Sequence, residues 1–451
     1  MPYLAERRCG VVNVPVFIIK SAFREHLAHD LGPLREVAGR GLYAAAWALR
    51  AAGRASDGYK LLMRTHSGNF SEAIDRRIEM DLRDATARER RGEATGLWST
   101  YDRVIAAAVT SFRARPTRLV GSRLLVAKPW RLGERGVLYV DYSYVFASLA
   151  GLFDLREIAG RYHLVLEPSW SGVCAPEILL YSRLDRPVFV ETIEPRDHRV
   201  LATLHTNLRP VPVAANYWVD YRPIEPLPEG RRDIDVIMVA AWTGIKRHWR
   251  FFRTLAALRR RGHRLRVALV GYRYDKTIDD IREQANYFGI GDQVELFERL
   301  SQDDVSALLA RSKVHVLWSR RECANRAIIE AMLADVPVIV RSGLTFGFKY
   351  PYINEQTGRF VDEAALGDAI LEMIECRASY SPRRWVLEHM TCQHATAAVE
   401  ASIRMAATAG GEPWTSGLVV KTSTLDTQKY WDESDRERFL DDYRFLEATL
   451  C

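Results

Sequence analysis

Long hydrophobic runs are absent from this chain. No apolar stretch reaches the roughly 18 residues that a membrane-spanning helix needs. The nearest, GLYAAAWALRAAG at 41–53, is too short and carries Arg50. The N-terminus has no apolar core followed by a small-residue cleavage site. The expectation is therefore a cytoplasmic protein, or one peripheral on the inner face of the membrane. Cysteine is sparse and scattered: Cys9, Cys174, Cys323, Cys376, Cys392 and Cys451 form no CxxC and no zinc-like spacing. That excludes a disulfide framework and suits buried thiols in a reducing compartment. Internal repeats and low-complexity segments are missing too. The tripeptide Asn69-Phe70-Ser71 matches a glycosylation sequon, which without a secretory leader is read as chance.

Charge of one sign is also scarce. Lys and Arg number 64 against 57 Asp and Glu, so the excess is +7 over 451 residues. The signs are mixed, and the basic residues form no stripe interleaved with aromatics, which argues against nucleic acid as a partner. An ordinary soluble surface and a polyanion-facing one both fit this balance. What the chain has in quantity is apolar residues, 48% of the total, enough for a large core. Its length suits two or three domains.

Periodicity divides the chain. Residues 1–118 read as a mostly helical extension, with charge pairs at i,i+3 and i,i+4 in EAIDRRIEMDLRDATARERR. From Leu119 onward β-rich runs (SRLLVAK, RGVLYVDYS, YHLVLEP, RPVFVETI, RPVPVAA) alternate with helical text, which predicts a parallel sheet covered on both faces. Together these make an N-terminal domain over 1–222. A proline-rich linker follows at 223–232. The alternation restarts over 233–390, from IDVIMVAAW through VHVLWS and ANRAIIEAMLAD to VPVIVRSG, and predicts a doubly wound α/β domain. Ser301 with Asp304 behind it marks a helix start. Residues 391–451 read as a helical tail, amphipathic at its end, that packs back on the N-terminal domain. Two such α/β domains imply a ligand lying between sheet edges.

One segment concentrates chemistry: SRRECANRAIIEAMLADVPVIV, from Ser319 to Val340. Strand text ends at Ser319 and helix text begins near Ala324, which puts Glu322 in the loop at the carboxyl edge of the sheet. The amides of Cys323, Ala324, Asn325 and Arg326 are then donors at a helix start, a natural anion site. Glu330 lies within the helix among apolar neighbours, where an unpaired charge is costly. Eight residues of helix rise about 12 Å, the scale of a sugar and a ribose separated by phosphates. Lys246, in TGIKRHW after the first strand of this domain, can meet a diphosphate as a point charge. Taken singly, a Glu-x7-Glu pair is more often surface text, and a lysine near a helix start is usually just solvated. The combination is what points to a nucleotide sugar.

In that order of motifs, strand plus Lys246, LRVALVGY, VELFERLSQDDVSALLARSKVHVLWS, ECANRAIIEAM and INEQTGRFVD, the chain resembles glycosyltransferase family 4. These are retaining nucleotide-sugar enzymes of the GT-B fold: two Rossmann-like doubly wound domains facing a cleft, here with a helical N-terminal extension and a helical C-terminal tail. The resemblance covers 211–375, is faint over 120–210 and absent from 1–110. It implies transfer of a sugar from a nucleotide-sugar donor, such as a UDP- or GDP-sugar, to an acceptor hydroxyl in cell-surface polysaccharide or glycoconjugate synthesis. It implies no metal and no other cofactor, and no Asp-x-Asp pair is placed to hold one. The acceptor would be a glycan, a lipid-linked or a small molecule, with peripheral membrane contact. By resemblance, Lys246 binds the diphosphate, Glu322 contacts the donor sugar and Glu330 holds the ribose hydroxyls. Cys323, Ala324 and Asn325 form the loop under sugar and phosphate.

The chain departs from the family at Ala240 and Ala241, where Gly-Arg is usual, and Arg247 or Arg320 is left to replace that arginine. It departs again at Cys323-Ala324-Asn325, where Gly-Phe-Gly is common, and at Glu194, where a histidine is expected. Glu167, Trp170 and Glu194 are the acceptor-side candidates; Trp170 could stack on a sugar ring but is better suited to packing the sheet as a buried residue. A non-catalytic nucleotide- or glycan-binding scaffold, or a phosphorylase or epimerase of the same architecture, stays open.

Overall fold

The β-branched runs of the sequence pair into two large sheets, and Lys421–Ser423 pairs with Gln428–Tyr430 in a small antiparallel one within the tail. A computed structural model describes residues 32–170, 172–344, 350–424 and 426–451; Cys9 and the apolar run at 11–19 lie outside them. The first sheet contains β1 (Leu124–Lys128), β2 (Gly136–Asp141), β3 (Tyr162–Glu167), β4 (Val188–Glu191) and β5 (Leu208–Val211), side by side in that order. Only the β1–β2 pair is antiparallel. Strands β1 to β4 are buried at every residue, as continuous apolar runs require when both faces are covered.

The second sheet contains β6 (Ile234–Val239), β7 (Val267–Gly271), β8 (Val294–Glu298), β9 (Ser312–Leu317), β10 (Val338–Arg341) and β11 (Gly358–Val361). All its pairs are parallel and its order is β11-β10-β9-β6-β7-β8. The chain winds outward from β6 to β8, then crosses back to β9 on the other side of β6. That reversal makes a doubly wound sheet with a switch point between β6 and β9. Ser301 accepts from the Asp304 amide at 3.2 Å and caps the helix Gln302–Ala310.

The first sheet differs in one respect from the doubly wound pattern expected of it. Its parallel strands follow one another without reversal, and right-handed crossovers in a single direction leave their helices on one face. The tail supplies the missing layer. Tyr139, Asp141, His163, Glu167, Phe189 and Glu191 share a face by strand register. Over that face lie Trp414, 6.2 Å from His163 between ring centroids, and Lys421, 4.9 Å from the Tyr139 ring. Cys392, Val399 and Ile403 of the helix Cys392–Ala409, with Tyr430, Phe439 and Tyr443, join the core of this sheet. So do Leu62, Ile78, Leu82 and Tyr101 of the helical extension. The linker is pinned, since Arg232 donates to the carbonyls of Ser312 at 2.8 Å and Ala334 at 3.1 Å.

The tail is held by a buried row of acids. Asp141, Glu167 and Glu191 end three adjacent strands in register. Lys421 donates to Glu167 at 2.6 Å, Arg123 to Asp141 at 3.0 Å, and the Trp218 indole to Glu191 at 3.1 Å. Burial, then the neighbouring Glu167, pushes the Asp141 carboxyl up to about 7 against the pull of Arg123 and Lys421. Glu191 is raised well above the usual range for the same reasons. Three acids against two cations therefore retain a proton near neutrality.

Replacing Lys421 by Met strands Glu167 and should cost about 3–5 kcal/mol of unfolding free energy in urea titrations. The pH dependence has a definite sign. Below pH about 4 Asp141 is protonated in folded and unfolded chains alike. As pH rises towards 7 the unfolded chain releases that proton first, so stability falls across this window. Asp141→Asn should flatten the fall; an unchanged slope would count against the shared proton.

Candidate functional site

The switch point brings the loops after β6 and β9 together at the carboxyl edge of the second sheet. The Arg320 amide donates to the Ile245 carbonyl at 2.9 Å, which ties the two loops directly. On one sits Lys246, at the end of a short 3-10 turn, Gly244–Lys246. On the other sits Glu322, nearly fully buried. Their side chains form an ion pair. The carboxylate is satisfied further by the Ser319 hydroxyl at 2.5 Å and the Asn325 amide at 3.1 Å. His315 on β9 and His248 lie buried near Lys246; burial first, then its charge, pushes both down to about 3. Both imidazoles are neutral, so Lys246 is the cation that balances Glu322.

The helix begins two residues later than the sequence suggests. Asn325 accepts from the Ile328 amide at 3.2 Å and caps Arg326–Leu333. Cys323, Ala324 and Asn325 therefore form a turn ahead of the helix, not its first turn. Tyr350 clamps that turn by donating to the Cys323 carbonyl at 2.6 Å. Asn325 won because its side chain can cap the helix and reach Glu322 at once, whereas Ala324 can do neither. Glu330 is buried one turn inside the helix, 3.9 Å from the Arg326 guanidinium. Burial holds its carboxyl above the ordinary range, with Arg326 and Gln302 opposing.

Not every expected residue joins this group. Arg247 is buried, in the left-handed region at φ 56°, and pairs with Glu363 at 3.3 Å beside Arg250. Glu167 is buried in the first core, where Lys421 takes its carboxylate. Trp170, by contrast, is not a core residue; it is 43% exposed at the junction of the two sheets.

The first domain presents Glu194 at the start of the helix Pro195–Thr203, where it feels the charge of Arg321. Glu194 is 7% exposed, and its Oε2 has no hydrogen-bond partner among the described residues. Burial and Asp197 push this carboxyl up to about 7, against Arg196 and Arg321. Arg321 spans the junction. It donates to the Ser67 carbonyl at 2.9 Å and lies 5.5 Å from the Trp170 ring centroid. The helical extension thus reaches the residue next to Glu322.

Sequence reasoning missed Ser319, Arg321, Tyr350 and Tyr272. Tyr272 follows β7 directly, is 46% exposed and feels the Glu322 charge. Its place just past a strand end on the carboxyl edge was a usable signal; Tyr350, far along the chain, offered none. Among the described residues Cys174, Cys323, Cys376, Cys392 and Cys451 form no disulfide.

The charges around Glu194 set its titration. Asp197→Asn should lower it from about 7 and Arg321→Ala should raise it further. Infrared difference spectra of the protonated carboxyl, referenced to Glu194→Gln, read the shift. A Glu194 band that ignores both changes would refute this electrostatic account.

No curated protein matches the sequence significantly. Among solved structures, sucrose-phosphate synthase from Thermosynechococcus elongatus is 15% identical, with 61% of this chain and 74% of that one covered at a TM-score of 0.46. Anabaena HepE in complex with UDP and glucose is 14% identical over 60% and 77% of the two chains, TM-score 0.43. S. aureus TarM, in complex with fondaparinux, α-GlcNAc-glycerol and UDP, is 13% identical over 55% and 51%, TM-score 0.42, so the chain spans about half of its length. These likenesses are distant, and the strand order defines the fold by itself. A family model matches less than half of the chain but all of its switch-point site: residues 222–386, which carry Lys246, Glu322 and Glu330, match glycosyl transferases group 1.

Proposed function

We infer that this chain is a glycosyltransferase that takes a sugar from a nucleoside-diphosphate sugar, such as a UDP- or GDP-sugar, and passes it to an acceptor hydroxyl. The observation that carries the reading is the Lys246–Glu322 pair at the switch point of the matched segment, with Glu330 on the adjoining helix. An ammonium has three donors and the ion pair uses one. The rest suit the oxygens of a diphosphate, whose charge grows as the sugar leaves. Glu322 and Asn325 suit the sugar hydroxyls, and Glu330 those of the ribose.

Transfer proceeds with retention and without a metal ion. The bond from the anomeric carbon to the diphosphate oxygen breaks, and the bond from that carbon to the acceptor oxygen forms on the same face. The acceptor proton passes to the leaving diphosphate oxygen, so no side chain has to store it. Glu194 and Trp170 line the acceptor side, and Arg321 fixes the spacing between the two walls. The acceptor is a glycan, a lipid-linked or a small-molecule hydroxyl, and the setting is polysaccharide or glycoconjugate synthesis on the cytoplasmic side. A second reading, a binding scaffold without turnover, draws on Ala240 and Ala241 and on the capture of Arg247 by Glu363.

A panel of nucleotide sugars separates the two. Wild type should release nucleotide from one donor, with about 100-fold less turnover in Lys246→Ala. Glu330→Gln should mainly raise the donor KM, since ribose contacts serve ground and transition states alike. Saturable donor binding without nucleotide release, candidate acceptors included, would establish the scaffold instead.

A further inference from the structure

The helix Gly32–Ala51 is turned inside out. Two of its four charged residues face the protein: Arg35 donates to the carbonyls of Gly68 at 3.1 Å and Asn69 at 2.6 Å, and Arg50 to Asp81 at 3.0 Å. Gly39 is pressed against Phe70, where a Cβ would come within 2.8 Å. The outward arc is apolar. Leu34 is 50% exposed, Val37 66% and Trp47 60%, with exposed alanines and Gly41 between them. A helix on a water-facing surface normally shows the reverse pattern. Such a face calls for an apolar cover.

Charge identifies the cover. Residues 1–118 contain 20 Lys and Arg against 13 Asp and Glu, and 20 − 13 gives +7, the whole net charge of the chain; residues 119–451 hold 44 of each. On the arc itself Arg40 and Glu36 pair with each other at 2.6 Å, so the positive excess comes from the rest of the extension. A second copy seated face to face would bring two net-basic extensions together. An anionic lipid surface has the opposite sign, and it accepts a helix lying flat with Trp at the boundary. Among the described residues no helix is long and apolar enough to cross a membrane.

We propose that the outer face of helix Gly32–Ala51 docks the protein on an anionic membrane surface, with Leu34, Val37 and Trp47 entering the headgroup boundary and the basic extension held to lipid phosphates. The inference is independent of the transfer chemistry, and its test needs no donor. Full-length protein is floated with phosphatidylcholine vesicles, with and without phosphatidylglycerol. Wild type should float with the anionic vesicles, lose them as salt rises and ignore the neutral ones. Val37→Glu/Trp47→Glu should bind at least about tenfold more weakly, at an unchanged unfolding temperature. The milder Leu34→Ser/Trp47→Ser serves if the first variant misfolds. Equal flotation of variant and wild type, or none by wild type, overturns the proposal. So does a wild-type dimer in sedimentation that the variants dissolve, which would assign the face to a second copy.

Discussion

Lys246 and Glu322 come from strands far apart in sequence, yet the whole candidate site is organised around their ion pair. A carboxylate as buried as Glu322 persists only with a cation and further donors. Lys246, Ser319 and Asn325 supply them, and each thereby acquires a fixed place. Asn325 then caps the helix that carries Glu330, and Tyr350 locks the turn between. The neutrality of His248 and His315 keeps the charge balance local. One pairing thus sets the loop conformation, the helix start and the orientation of the second acid.

The rest of the molecule serves to hold that edge against a partner wall. The first sheet winds in one direction and would leave a face bare, so the tail closes it. The price is a buried row of Asp141, Glu167 and Glu191, compensated by Lys421 and Arg123 and by a retained proton. The same tail reaches the second domain, where Arg326 donates to the carbonyls of Ala215 at 3.3 Å and Ser423 at 2.5 Å. Asn216 adds a bond to the Tyr352 hydroxyl at 3.2 Å. Tail and extension therefore both meet the matched domain close to Glu322, one through Arg326 and the other through Arg321. Changes in either can be felt at the site without touching it.

Much of this was legible in the residues. Continuous apolar runs read as buried parallel strands because a strand covered on both faces has no polar side to show. Lys246, Glu322 and Glu330 stood out in combination, a cation and an acid past two strand ends with a second acid among apolar residues of the following helix. Other features were not legible. Glu167 and Glu194 look alike in sequence, each an acid just past a strand. Lys421, more than two hundred residues away, neutralises the first, while nothing among the described residues bonds Oε2 of the second. The pairing of Arg247 with Glu363, more than a hundred residues away, was likewise not to be read from spacing.

By itself, then, the sequence determined the alternation of strand and helix, the existence of a doubly wound second half and the residue types available at its edge. Those follow from local periodicity and from what each side chain can bond. Tertiary structure alone decided which acid is spent on a cation and which faces the junction, which way the first sheet winds, and that the opening helix shows its apolar side outward. The physical reason is that charge compensation and burial depend on neighbours brought together by folding, and spacing along the chain does not encode who those neighbours are.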